Sequence, residues 1–168
     1  VNLAKDQTDQ VIADFKVKEA SLVKPYHPSI LFNTAEAFFR QAQYEKAINL
    51  FDEFNKNYSL FSRSGDARLR IALGYDLLAR NTDVVLRLYK DAINKSASVQ
   101  VRYEAKLRYV GLRVCRNKKL SESDIETIVF IDGDASEQKS ISPDLKKQLW
   151  LVRLRTLIRM KKYEEAVS

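Results

Sequence analysis

The segment from Pro28 to Ser59, PSILFNTAEAFFRQAQYEKAINLFDEFNKNYS, constrains the fold more than any other stretch of the chain. Its apolar and small residues fall at Leu31, Thr34, Ala35 and Phe38, and again at Ala47, Phe51 and Phe54. Steps of three, four and seven residues put each set on one face of an α-helix. Gln41-Ala42-Gln43-Tyr44 lies between the two sets and leaves room only for a tight joint. The segment is therefore expected to fold as a hairpin of two amphipathic helices.

A second copy stands at the other end. Trp150, Leu154 and Leu157 repeat the first-helix spacing, with Arg153 departing from it, and residues 160–166 repeat the joint and the start of the second helix. Tyr44-Glu45-Lys46-Ala47-Ile48 and Tyr163-Glu164-Glu165-Ala166-Val167 are nearly the same pentapeptide. Between the copies, Leu69, Ala72, Leu73 and Leu77 predict a helix from about Asp66 to Arg80, and Val85, Leu86, Leu88, Tyr89 and Ala92 another from about Asp83 to Lys95. Asn81-Thr82 supplies the cap between them. Leu107, Val110, Gly111 and Val114 begin a third hairpin near Ser98, and Ser121-Glu122-Ser123-Asp124 reads as a capping box before Ile125, Ile128 and Val129. Taking Ala35, Ala72, Gly111 and Leu154 as equivalent gives separations of 37, 39 and 43 residues. The polar stretches Asn57–Gly65 and Asp132–Ser142 absorb the excess as loops, the second ending in a helix N-cap at Ser142-Pro143. From Asp9 to Val23, Val11, Ile12, Phe15 and Leu22 predict one more helix, of the kind that ends a preceding repeat.

These positions resemble the tetratricopeptide (TPR) pattern of a large residue, a Leu-Gly pair, Tyr, Ala, Phe and Pro. Leu31 stands in the Trp place, Thr34-Ala35 in the Leu-Gly place and Phe38 in the Tyr place, with Ala47, Phe51 and Ser59 following. Ala35 and Ala47 must be small for the two helices to approach closely. The resemblance implies an all-α fold, a right-handed α-solenoid of antiparallel hairpins with about seven to nine helices. It implies one domain over residues 1–168, with repeats near 28–60, 66–96, 98–131 and an incomplete 143–168, and residues 1–25 as a helix of an upstream repeat. A start at Val1 and an end within the helical pattern at Ser168 suggest a piece of a longer array. The Phe54-x-x-x-Tyr58 ending, followed by a loop and Ala67, is similar to TPR domains of bacterial cell-envelope proteins, the Tol-Pal coordinator and the BamD-type assembly lipoproteins. That similarity implies an envelope location, with the cytoplasm as the alternative; the Pro usual after the Tyr is missing here.

Composition agrees and narrows the chemistry. Four glycines and three prolines suit long helices rather than a turn-dense β fold. The net charge of +7 is concentrated: residues 61–120 carry 14 Lys and Arg against 5 Asp and Glu, while the flanking parts carry 7 against 8 and 8 against 9. His27 is the one histidine and the four glycines are isolated, so neither a His-based metal cluster nor a phosphate loop can be built. Asp132-Gly133-Asp134 fails the twelve-residue calcium pattern. Cys115 is the lone cysteine, set in an apolar helical context that predicts a small core or groove residue, with no disulfide. No segment has the roughly 20 apolar residues that cross a bilayer.

No enzyme and no cofactor are expected from these residues. A TPR-like array presents a concave face lined by its first helices. One or two steps from the small packing positions lie Phe32, Asn33, Glu36, Phe39 and Arg40, then Tyr75, then Arg108, Tyr109 and Arg116, then Arg155 and Arg159. Arginine grips carboxylates bidentately and the aromatics add apolar area, so the expected partner is a segment of another protein, an acidic one included. Against that stands the plainer reading that Phe39, Tyr75 and Tyr109 are packed and the arginines solvated or paired with Glu36, Asp76 or Glu104. The alternative function is nucleic-acid or anionic-surface binding through residues 61–120, weakened by the absence of any stacking motif of interleaved aromatics and cations.

Overall fold

The computed structural model describes residues 3–18, 26–116 and 139–164. Among these, seven helices occur in the order α1 (Leu3–Lys18), α2 (Pro28–Arg40), α3 (Tyr44–Asn57), α4 (Ser64–Leu77), α5 (Thr82–Lys95), α6 (Val99–Cys115) and α7 (Pro143–Arg159), and no strand. The chain gathers into two compact units, Val1–Leu88 and Tyr89–Ser168, with the boundary inside α5.

In the first unit, α2 and α3 form the hairpin read from the sequence. Pro28 occupies the first turn of α2, where its missing N–H costs nothing, and the Ser29 N–H donates to His27 Nδ1 (3.3 Å). Ala35 and Ala47 are fully buried, which lets the two backbones approach, and Phe32 fills the space beside them. The Phe32 ring meets Phe51 and Phe54 edge-on at 5.3 and 5.4 Å. Each such pair adds about 1 kcal/mol to the burial itself. α4 then packs on α3, and α1 packs on α2 through Ile12 and Phe15. The Phe15 ring lies edge-on to Tyr26 at 5.5 Å, and the Tyr58 hydroxyl donates to the Tyr26 carbonyl (2.6 Å), closing the connection before α2 onto the end of α3.

α2 and α4 run parallel. Asn33 meets Arg63, Glu36 meets Arg70, and Phe39 Cε2 lies 3.7 Å from where a Cβ on Gly74 would stand, three contacts that advance together along both helices.

In the second unit, α6 and α7 also run parallel, tied at both ends. Gln100 donates to Ser142 Oγ (3.3 Å) and accepts from the Ser142 N–H (3.0 Å), while the Arg159 guanidinium donates to the Val114 carbonyl. Ser98 and Ser142 cap the two helices, accepting from Val101 N–H (3.4 Å) and Leu145 N–H (3.3 Å). The buried faces are Val101, Tyr103, Ala105, Leu107, Tyr109 and Val110 on α6, and Leu145, Leu149, Thr156 and Leu157 on α7.

The joints bear on which positions are equivalent. Ala42, Ala79 and Lys161 all have positive φ, at 57°, 51° and 59°. Around each, the same two backbone bonds close the helix end. Ala42, Ala79 and Lys161 N–H donate to the carbonyls of Phe39, Asp76 and Ile158, and the next residues, Gln43, Arg80 and Lys162, to those of Phe38, Tyr75 and Leu157. This is the Schellman closure, built here three times without glycine. Each positive-φ residue follows Ala35, Ala72 or Leu154 by seven positions, which supports the alignment of those three.

Several expectations are corrected. The helices predicted from Asp9, Asp66 and Asp83 begin at Leu3, Ser64 and Thr82, and the loop before α4 is correspondingly shorter. Leu77 is exposed rather than part of the buried stripe. Trp150, at 54% exposure, does not fill the place that Leu31 fills in α2; Leu149, one position earlier, is the fully buried residue. Gly111 is half-buried on α6, and the helix it is expected to pack against, after Ser121, lies outside the described residues. Cys115 is exposed at the end of α6. The capping box at Ser121–Asp124, the helix with Ile125, Ile128 and Val129, Leu22, and Asp132-Gly133-Asp134 lie outside the described residues.

Candidate functional site

Glu36 and Arg70 organise the face shared by α2 and α4. Arg70 Nε donates to Glu36 Oε1 at 2.5 Å and Nη2 to Oε2 at 3.3 Å, a fork-to-fork pair, while the same guanidinium lies 5.2 Å from the Phe39 ring centre. Glu36 is thereby neutralised. Arg63, just before α4, stacks its guanidinium 3.5 Å from the Phe32 ring centre and donates to Asn33 Oδ1 (3.4 Å). Asp66, in the first turn of α4, is half-buried beside them. Burial pushes its carboxyl above the ordinary 3.8 and the Glu36 charge adds to that, while Arg63, its own backbone N–H and Arg70 pull it down.

These groups border a cleft of ≈ 230 Å³ between α1 and α2, lined by Gln7, Thr8, Val11, Asn33, Glu36, Ala37, Arg40 and Arg63. Three of the sequence-derived candidates, Asn33, Glu36 and Arg40, meet there. Arg40 is exposed, and no described residue pairs with it. Since Arg70 balances Glu36 and Asp66 lies within electrostatic reach of Arg63, Arg40 is the guanidinium that gives the cleft its positive character, with Arg63 held beside it on Phe32 and Asn33.

The other candidates part company. Phe32, at 1% exposure, and Tyr109, at 5%, are core residues, which removes both from any surface groove. A residue one step from Leu31 is turned by about 100° on the helix and still faces α3. Phe39 and Tyr75 are half-buried against the core of the first unit. In the second unit Arg108 reaches toward Glu104 at 4.0 Å, Arg159 holds the Val114 carbonyl, and Arg116 and Arg155 are exposed.

Two residues of this face were missed by helical counting. Arg70 follows Asn33 by 37 residues, the same step that relates Ala35 to Ala72, so the repeat offset could have found it. Arg63 precedes α4 and carries no periodic signal. Among the described residues, no group of three or more His, Cys, Asp or Glu could hold a metal ion, and no helix is long and apolar enough to cross a membrane.

No protein-family model and no curated protein matches the sequence. Two solved structures resemble the fold. One is a protein from Podosopora anserina described as a kinesin light chain with nearly identical TPR-like repeats; it is 13% identical, the match covers 96% of this chain and 79% of that one, and the TM-score is 0.62. The other is a point-substituted form of the same protein, with the same identity and coverage and a TM-score of 0.63. The fold is a TPR-like helical repeat. It falls in the all-α solenoid class, with the small-residue packing at Ala35, Ala47 and Ala72 and the recurring helix-end closure as its local signatures.

Proposed function

We propose that this chain is a non-enzymatic binding scaffold that holds an acidic segment of another protein in the cleft between α1 and α2, which Arg63 borders from the start of α4. The observation that carries the reading is the cleft in which Arg40 and Arg63 flank Asn33 while Arg70 neutralises Glu36. A carboxylate entering there meets the Arg40 fork beside the Arg63 guanidinium, and the one acidic group lining the cleft is already paired. Helical-repeat folds bind partners on such faces, and hot spots in protein interfaces are enriched in arginine. The repeats are read as 28–60, 66–96, 98–131 and 143–168, an assignment supported at three of the four by the common closure at Ala42, Ala79 and Lys161.

Panning a displayed peptide library on the chain tests the reading. Acidic segments are expected to be enriched, and Arg40→Glu is expected to weaken the selected peptides at least tenfold without changing the melting temperature. Enrichment of neutral peptides that ignore Arg40→Glu would remove the cleft from the site. Binding of single- or double-stranded nucleic acid with a steep salt dependence would favour the other reading, through the basic residues 61–120.

A further inference from the structure

Where α4 meets α2, charges alternate along the shared face. Arg63, Asp66 and Arg70 follow one another at steps of three and four residues, the spacing that makes helical side chains neighbours. Glu36 of α2 stands opposite Arg70. Glu36 and Arg70 neutralise each other through two bonds, and Arg63 is held by the Phe32 ring and the Asn33 side chain. Asp66 is held differently. It is half-buried, closes no ion pair with a described residue, and takes a hydrogen bond from its own backbone N–H. The charged groups that act on it are Arg63 and Arg70 from its own stretch and Glu36 from α2.

A negative charge in this place works against the cleft. Arg63 and Glu36 line the cleft, whereas Asp66 is not among its lining residues and so acts on it through space. Ionised, Asp66 offsets part of the positive potential that Arg63 adds beside Arg40. Half-burial limits the screening of that effect by salt. The charge is also open to change. Burial favours the neutral acid and the two arginines favour the carboxylate, and burial prevails. One side chain with two charge states therefore gives the cleft two strengths.

We infer that Asp66 sets how tightly the cleft takes an acidic segment, weakening the hold while it is ionised and strengthening it once it is neutral. The inference rests on the scaffold function proposed above and adds its control. Asp66 is a positioning residue in this scheme: it acts through Arg63 and does not touch the segment. Binding and protonation are then linked in both directions. An anion seated beside Arg63 makes the proton on Asp66 easier to keep, so binding draws a proton in from solution. The site is stronger in mild acid than at neutral pH, because the raised group takes its proton above the ordinary 3.8.

The probe is an acidic peptide from the library selection, resynthesised with cysteic acid in place of Asp and Glu so that its own charge does not change with pH. Titration calorimetry of the full chain, in two buffers of different ionisation enthalpy, reads affinity and proton uptake together. The wild type is expected to bind roughly threefold or more tightly at about pH 5 than at pH 7, with uptake of part of a proton. Asp66→Asn is expected to bind at pH 7 as tightly as the wild type does in acid, with the pH dependence and the proton uptake both lost. Asp66→Glu, which keeps a titrating carboxyl, is expected to retain them. His27 is common to all three chains, so its titration cancels in the comparison. Matching pH profiles for wild type and Asp66→Asn overturn the inference, as does binding by the wild type without proton uptake. Peptides weakened by Arg40→Glu but indifferent to Asp66→Asn would leave the scaffold function standing and remove the role of Asp66. If neither change has an effect, both readings fall.

Discussion

A Cβ added to Gly74 would stand 2.9 Å from both Cγ1 and Cδ1 of Ile48, closer than side chains pack. At Gly74 the α4 backbone lies close against the Ile48 side chain of α3, and a Cβ there would require that side chain to shift. Gly74→Ala pits overpacking, about 1–3 kcal/mol, against a gain in helix propensity of up to about 1 kcal/mol. Overpacking wins, and urea unfolding is expected to show net destabilisation of roughly 1 kcal/mol. Adding Ile48→Val should recover part of the loss. If Gly74→Ala proves stabilising, the close approach is not a constraint.

The helix ends at Ala42 and Ala79 predict the opposite sign. A residue with a side chain in the left-handed region costs about 1 kcal/mol that glycine avoids. Ala42→Gly and Ala79→Gly are each expected to raise stability by roughly 0.5–1 kcal/mol, less the greater entropy glycine gives the unfolded chain. A β-branched Ala42→Val should lower it. Thermal melts of the three variants check both directions.

Glu36 is much the less exposed partner of its pair with Arg70, and the two bonds are parallel. A double-mutant cycle with Glu36→Ala and Arg70→Ala is expected to return a coupling of about 1 kcal/mol, above the usual exposed pair. A coupling near zero would show that the pair does not hold α2 to α4. High salt should reduce the coupling only partly, because the carboxylate is shielded from solvent.

Asp66 gives a pH signature. Its folded pKa is raised, chiefly by burial, so the folded state binds the proton more tightly than the unfolded state. The group then opposes folding while ionised, and that penalty fades as pH falls from above the raised value toward the ordinary 3.8. Asp66→Asn removes the titration. Relative to wild type, the variant should be favoured most at neutral pH and lose that advantage in acid. Guanidinium unfolding at pH 7 and near pH 3.5 measures the difference; an advantage that grows in acid would reverse the assigned sign.

How far the sequence could be read depended on whether packing came from one side or several. α2 and α3 were legible because Leu31, Ala35, Ala47 and Phe51 are all fully buried at the periodic positions. Counting one residue past a packing position failed at Phe32 and Tyr109, because helices covered on two sides bury more than a single stripe. The first-helix template misplaced Trp150 for a related reason: the burial of α7 is carried by Leu145, Leu149 and Leu157. Glu36, Asn33 and Arg40 could be found by helical offset, whereas Arg63 enters the cleft from a non-helical position that no periodicity marks.

The recurring helix end has a hereditary consequence. Ala42 and Ala79 sit at the same point of the same closure, 37 residues apart. Excision of residues 42–78 would join Gln41 to Ala79 in a turn the chain already makes, and duplication of that stretch would add a hairpin without inventing a new connection. Such a block has the form of a cassette, in which Asn33 and Arg70 hold the same place in successive copies while one meets Arg63 and the other Glu36.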